Sequence, residues 1–413
     1  MRPATRALVI VGAGHGGSTL AALLRQSGFD EPVVLVGSET HIPYHRPPLS
    51  KKFGAQGFRQ DIRPSEFYAD NDIELRTGTT VTAIDRSVRT VTLSTGERIE
   101  YAHLVLATGS SPRRLTVRGC DTTGVLTLRT VEDAAALARS MAGGGELAII
   151  GGGYVGMEVA AVARSLDVPV TVIEREARIL ARVASPDLSQ MLTDYHRQRG
   201  TAIRVDAVVE GILEQGGRAT GVELADGSTV TAGTVLVGIG ATPDDALAHT
   251  AGLACDGGVL VDSSGRTSDP SVFAIGDVAR RPIDDSGTLV RLESIPNVTE
   301  QAKQVVAALT GLRQPEPEVP WFWSDQFDIK LKIAGLVRPG ARIVHRPGKR
   351  EGSFALYHLG ADETVHAVEA ANAPSDFIAG KKFISQRIPV SPNALGDPSV
   401  SLHEVAGATP VGS

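Results

Sequence analysis

Ala7-Leu-Val-Ile-Val-Gly12-Ala-Gly14-His-Gly-Gly17 is an apolar run that passes directly into G-x-G-x-x-G and then into an Ala-, Leu- and Val-rich helical stretch. The pattern returns as Leu147-Ala-Ile-Ile-Gly151-Gly-Gly153-Tyr-Val-Gly156. In each unit the next strand ends in an acid, Glu39 and Glu174, lying 22 and 18 residues past the last glycine. That spacing is close to the ~20 residues of a dinucleotide fingerprint. The first glycine permits the sharp turn, the second admits a pyrophosphate to the backbone, and the third packs helix on strand. The helix N-terminus then meets the phosphates with its positive end. One fingerprint is weak evidence, whereas two complete units predict two dinucleotide sites.

Working outward, Ile73 to Leu75, Val81 to Ile84, Val88 to Leu93 and Arg98 to Tyr101 read as short strands around the Ser94-Thr-Gly-Glu97 turn. Leu104 to Ala107 is a further apolar strand running into Ala107-Thr108-Gly109. Beyond the second unit come a helix from Pro186 to Gln198, strands around Ala225-Asp-Gly-Ser228, the stretch Val235 to Pro243, and Val272-Phe-Ala-Ile-Gly276-Asp277, a strand with an acid at its carboxyl end. The expected class is α/β: two Rossmann-like domains of glutathione-reductase type, one inserted in the other, plus a C-terminal α+β domain. The expected boundaries are 1–112 with 245–319, 113–244, and 320–404 after the proline-rich linker Gln314 to Pro320, with a disordered tail from 405 to 413.

The 413 residues leave room for about three domains. Forty-one Lys and Arg against 47 Asp and Glu give a net charge of −6, which argues against a general nucleic-acid or anionic-membrane binder. Glycine, at 45 residues, is in excess and marks many tight turns. The two cysteines, Cys120 and Cys255, form no CxxC or CxxxxC pair, so a four-thiolate Fe–S cluster and a local dithiol relay are excluded, and both are expected to be inert core thiols. No metal site is expected. The N-terminal stretch lacks the h-region of a signal peptide and no apolar run reaches about 18 residues, so a cytoplasmic protein is expected.

The two fingerprints combine with Ile42-Pro-Tyr-His-Arg-Pro47-Pro48-Leu49-Ser50-Lys51, Ala107-Thr108-Gly109, Ala274-Ile-Gly276-Asp277, Arg291 to Asn297 and Pro320-Trp-Phe-Trp-Ser-Asp-Gln326. Over essentially its whole length the chain thereby resembles the FAD-containing, NADH-dependent ferredoxin reductases of cytochrome P450 and aromatic-ring dioxygenase systems, the putidaredoxin reductase-like family. The resemblance implies FAD on Gly12, Gly14, Gly16 and Gly17, Glu39 on its adenosine ribose, and Val81 at the adenine. It adds Arg46, Pro47, Lys51, Ala107, Thr108, Gly109, Arg129, Gly276, Asp277 and Ile295 as flavin-side contacts. NADH is implied on Gly151, Gly153 and Gly156, with Glu174 on its ribose.

Glu158 is implied to face Lys51 beside the flavin N5, Tyr154 to be an aromatic lid, and Trp323 to flank the flavin. The plain alternatives are a surface ion pair, a helix start and a core tryptophan. His15 departs from the commoner residue at its place and receives no role. The implied reaction is hydride transfer from NADH to FAD, then single-electron transfer to a [2Fe–2S] ferredoxin that supplies a P450 or dioxygenase. An NADH-dependent quinone or monodehydroascorbate reductase, or a non-catalytic NADH sensor, would share the architecture. A stretch without Asp or Glu holds Lys330, Lys332, Arg338, Arg342, Arg346, Lys349 and Arg350, and is the expected ferredoxin docking face. Arg280, Arg281 and Arg291 are the alternative.

Overall fold

A strand that is apolar at every position has no face for water and must be covered on both sides. In the computed structural model, which describes residues 6–53, 57–283, 287–338 and 340–407, Ala7–Val11 is such a strand, buried throughout. It lies between Val33–Val36 and Arg98–Leu106 in a parallel array that continues to Ile73–Arg76 on one side and Val272–Ala274 on the other. The helix His15–Gln26 turns Leu20, Ala21 and Leu24 into a cluster with Leu8, Ile10 and Phe273. The carboxyl ends of the parallel strands therefore carry Gly12 and Ala107, as ligand-binding open sheets require.

Residues 98–101 and 104–107 are not two strands but one, Arg98–Leu106. Its first part pairs antiparallel with Thr90–Leu93 and its remainder pairs parallel with Ala7–Val11, so one extended segment serves two ladders. The strand expected from Val88 begins at Thr90, because Arg89 turns through φ 54°.

Two compact units result. The first comprises Met1–His45, Arg59–Ser111 and Ala241–Glu318; the second comprises Arg46–Phe58, Pro112–Gly240 and Val319–Ser413. In the second, Leu147–Ile150 repeats the design: it lies between Val170–Ile173 and Thr234–Val237 in a five-stranded parallel sheet, flanked by a three-stranded antiparallel one. The predicted helix Pro186–Gln198 is present, with Ser185 as its N-cap. The same unit holds a five-stranded antiparallel sheet in the order Trp321–Gln326, Ile329–Gly335, Val365–Ala371, Phe354–Leu359, Arg342–Pro347. Helices Pro374–Gln386, Pro392–Gly396 and Leu402–Gly407 add Phe377, Phe383, Leu395 and Val405 to its core.

The expectation of a tail from 405 needs correction. Val405 is fully buried in the last helix, which an apolar side chain in a run of small residues makes possible, while 408–413 lie outside the described residues. No described helix is long and apolar enough to cross a membrane.

Candidate active site

In the first unit, Gly12 has φ 113°, and a Cβ there would stand 2.1 Å from the Ala107 carbonyl oxygen; one on Gly17 would stand 2.0 Å from the Gly12 carbonyl oxygen. Only glycine lets strand, turn and helix approach so closely. A Cβ on Gly14, by contrast, meets nothing within 4 Å, so the backbone N–H groups of the helix start open onto free space. Around this turn, Thr108 donates to the Asp244 carbonyl (2.8 Å) and Ser110 donates to the Asp277 carboxylate (3.0 Å). Asp277 sits in a single helical turn, Gly276–Val278, while Ile295 begins a helix capped by Ser294. Tyr44 donates its hydroxyl proton to the Glu39 carboxylate, and Val81 is buried at the start of its strand.

The second fingerprint repeats this geometry within the second unit. Gly151 has φ 108°, and a Cβ would lie 2.4 Å from the Gly238 carbonyl oxygen; Gly156 presses on Gly151 in the same way, and Gly153 faces open space. Glu174 is turned toward the glycine loop, accepting from the Gly152 N–H (2.7 Å) and the Glu176 N–H (2.9 Å).

Glu158, two residues beyond Gly156, belongs to the helix Tyr154–Ser165 and is 3% exposed. Lys51 reaches it at 2.8 Å from the short helix Pro48–Lys51 of the same unit, and the two side chains are only 14% and 4% exposed. That burial overturns the surface-pair alternative. Ser50 and Ser324 donate to the two carboxylate oxygens, the latter at 2.6 Å. Gln326 in turn donates to Ser324 (3.2 Å) and meets the buried His196 (3.0 Å). A buried carboxylate is tolerable only when paired and hydrogen-bonded, and Glu158 is both. Beside this cluster Arg46 donates to the Arg129 carbonyl (2.7 Å), immediately before a helix closed by the Thr130–Asp133 capping box.

Tyr154 starts the fingerprint helix with its ring against Phe322, centroids 5.0 Å apart, and its buried hydroxyl has no hydrogen-bond partner among the described residues. Burial and the nearby carboxylates of Glu369 and Glu158 push its phenol well above the ordinary range. Trp323 is half-buried on the edge strand of the antiparallel sheet, 5.9 Å from Trp321 between centroids.

Residues 6–307 match the pyridine nucleotide-disulphide oxidoreductase family and residues 321–406 the reductase C-terminal family. The chain is 41% identical to the probable ferredoxin reductase CtmF of Castellaniella defragrans, covering 98% of this chain and 99% of that one. It is 40% identical to putidaredoxin reductase CamA of Pseudomonas putida, covering 97% of each. It belongs to the ferredoxin reductases of the pyridine nucleotide-disulphide oxidoreductase family. Among solved structures it superposes on the ferredoxin reductase of the CYP199A2 system of Rhodopseudomonas palustris with a TM-score of 0.92 at 36% identity, covering 97% and 99% of the chains. On the covalent putidaredoxin reductase–putidaredoxin complex the TM-score is 0.94 at 39% identity, covering 98% and 99%.

As a ferredoxin reductase of this FAD-dependent family, the chain has residues that fit the cofactor: a glycine cradle that a Cβ would fill, an uncapped helix start, and a buried His15 Nδ1 without a partner among the described residues. The "disulphide" of the family name has no counterpart, since Cys120 and Cys255 are both free thiols. They are half-buried rather than core residues, and burial raises the Cys255 thiol above its usual range.

The expected docking face also changes. Arg346 is 7% exposed, ion-paired to Asp376 and donating to the carbonyls of Leu395, Asp397 and Val400, so it locks the C-terminal helices to the sheet. A sequence tally of charge could not distinguish it from its exposed neighbours Arg342, Lys349 and Arg350. Lys330 pairs with Asp325, and the Lys332 ammonium lies 5.4 Å from the Phe377 ring centroid. In the alternative set, Arg281 is buried against Glu300 and Asn297, Arg280 pairs with Asp256, and Arg291 with Glu293. Sequence reasoning missed Ser50, Ser324, Gln326 and His196; the first two adjoin Lys51 and Trp323 inside motifs already singled out, whereas nothing local marks His196.

Proposed function

We propose that this ferredoxin reductase passes electrons from NADH through FAD, one at a time, to a [2Fe–2S] ferredoxin that supplies a P450 or a ring-hydroxylating dioxygenase. The observation that carries this reading is the end-to-end likeness to putidaredoxin reductase, C-terminal region included, at 40% identity over 409 residues. FAD, when bound, accepts a two-electron donor and releases single electrons. The chain's own contribution is binding and placement. The first fingerprint, with Glu39, Val81, Ala107 to Gly109, Gly276, Asp277 and Ile295, holds FAD. The second fingerprint holds NADH, with Glu174 on the ribose hydroxyls and Tyr154 as the aromatic residue that yields to the nicotinamide.

Lys51 and Glu158 would hold the nicotinamide carboxamide in place for hydride transfer. Three hydrogen-bonding partners keep the Glu158 carboxylate in one orientation, so little freedom remains to be lost when the dinucleotide arrives. The division into 1–112 with 245–319 for FAD, 113–244 for NADH and 320–404 for the C-terminal domain belongs to this proposal, as does a cytoplasmic location.

The test is NADH-driven cytochrome c reduction with and without a panel of [2Fe–2S] ferredoxins. A strong ferredoxin dependence supports the proposal. Equal rates without any ferredoxin, or rapid turnover of a quinone instead, would sink it in favour of a small-molecule reductase.

A further inference from the structure

The helices that begin at Val131, Pro186 and Ile295 have their first N–H groups met by the side chains of Thr130, Ser185 and Ser294. The helix His15–Gln26 begins differently: its N-cap is Gly14, no side chain caps it, and its first turn holds no acid. His15 is its first residue. The ring lies 5.4 Å from that of His45, and among the described residues its buried Nδ1 has no partner. Arg63 donates to Ser18 one turn along the same helix (3.3 Å), and Ser18 is hydrogen-bonded to the Tyr68 hydroxyl (2.8 Å). His15, Ser18, His45, Arg63 and Tyr68 all belong to the first unit.

We propose that His15 takes up a proton when the diphosphate of FAD docks on the first fingerprint, so that FAD is held more tightly as the pH falls toward 6. The inference rests on the assignment of FAD to that fingerprint. The groups that act on His15 are His45, from the segment after Val33–Val36, and Arg63, from the segment before the helix Ser65–Asp70; both carry or can carry positive charge. Burial first, then these two neighbours, hold the ring down to about 4, so it is neutral at ordinary pH, with no counter-ion for an imidazolium among the described residues. His45 is itself lowered by burial and by Arg63. A diphosphate on the turn that His15 follows reverses the sign of that local field. A backbone fingerprint by itself contains no titratable group, so the coupling is a property of the histidine at this position.

Linkage sets the size of the effect. If the diphosphate merely restores an ordinary imidazole, the FAD dissociation constant rises about fourfold from pH 6 to pH 8, and binding at pH 6.5 takes up about half a proton. The experiment is equilibrium dilution of the holoprotein at several pH values, read by the fluorescence of released FAD, with calorimetric FAD titration in two buffers of different ionisation enthalpy. The expected results are that fourfold rise, a markedly flattened profile for His15→Gln with its pH 6 affinity reduced toward the parent's value at pH 8, and a retained slope for His45→Gln, which removes a positive neighbour of His15. A pH-independent constant in the parent, or an unchanged slope in His15→Gln, overturns the proposal. Should His15→Gln not fold, the proton count of the parent decides alone, and a count of zero at pH 6.5 is fatal. Protein that neither retains nor rebinds FAD would sink the fingerprint assignment itself, a result distinct from FAD binding that ignores pH.

Discussion

Glu158 and His196 show how much rests on single side chains. With Lys51, Ser50 and Ser324 all directed at it, Glu158 is the hub of the buried cluster. Glu158→Gln keeps the shape and removes the charge, so the limiting rate of flavin reduction by NADH in stopped flow is expected to fall by about tenfold or more, with FAD content unchanged. An unaltered rate would leave the cluster a purely structural role. His196 is fully buried between Gln326 and Thr201, and burial lowers its ring to about 4. Between 6.5 and 4 the unfolded chain binds this proton and the folded chain does not, so stability is lost as pH falls through that window. The loss attributable to this ring is about 2 kcal/mol from pH 7 to pH 5. Urea unfolding at the two pH values should show it, and His196→Gln should lack that part of the slope.

At the scale of elements, the two strand–turn–helix units make one geometry serve twice. In each, the first glycine has φ above 100° and its missing Cβ lies within 2.5 Å of a carbonyl on the neighbouring strand's exit: Ala107 for Gly12, Gly238 for Gly151. An alanine at either place carries both an unfavourable φ and a backbone clash, a cost of about 1–3 kcal/mol for the conformation alone. The outcomes should nevertheless differ by ligand. Gly12→Ala is expected to purify with little or no flavin. Gly151→Ala should remain yellow while its KM for NADH rises at least about tenfold. Flavin loss in both variants, or in neither, would contradict the division of labour between the two elements.

For the molecule as a whole, partner choice is electrostatic at long range and stereochemical at short range. With Glu174 proposed to hold the NADH ribose hydroxyls, its carboxylate would oppose a 2′-phosphate, and the nearby arginines have other partners: Arg178 the carbonyls of Ala181, Ala184 and Ser185, Arg175 the Glu176 carboxylate. A kcat/KM at least about tenfold higher for NADH than for NADPH is therefore expected; parity would show that another cation holds the phosphate. On a chain of net charge −6, the exposed Arg342, at the start of the strand Arg342–Pro347, and the exposed Lys349 and Arg350, beyond its other end, are the cations proposed to draw an acidic carrier. Replacing all three by Gln should raise the KM for ferredoxin and flatten its salt dependence, leaving the KM for NADH unchanged. Ferredoxin kinetics equal to the parent's would move the docking face elsewhere.

Two glycine fingerprints, each between an apolar strand and a helix, determined the paired α/β architecture from sequence alone, because a backbone turn that only glycine can make is written in consecutive residues. The absence of paired cysteines was equally legible. What needed the folded chain was everything that depends on side chains far apart in sequence. Lys51 and Glu158 were visible as candidates, but whether they formed a solvated pair or a buried one depended on Ser324 arriving from another sheet. Arg346 counted as surface charge until Asp376 and three helix-end carbonyls surrounded it. His15, without a role in the linear chain, acquired one beside His45 and Arg63. Local conformation is fixed by neighbours along the chain, whereas burial, and with it the energy of a charge, is fixed by neighbours in space.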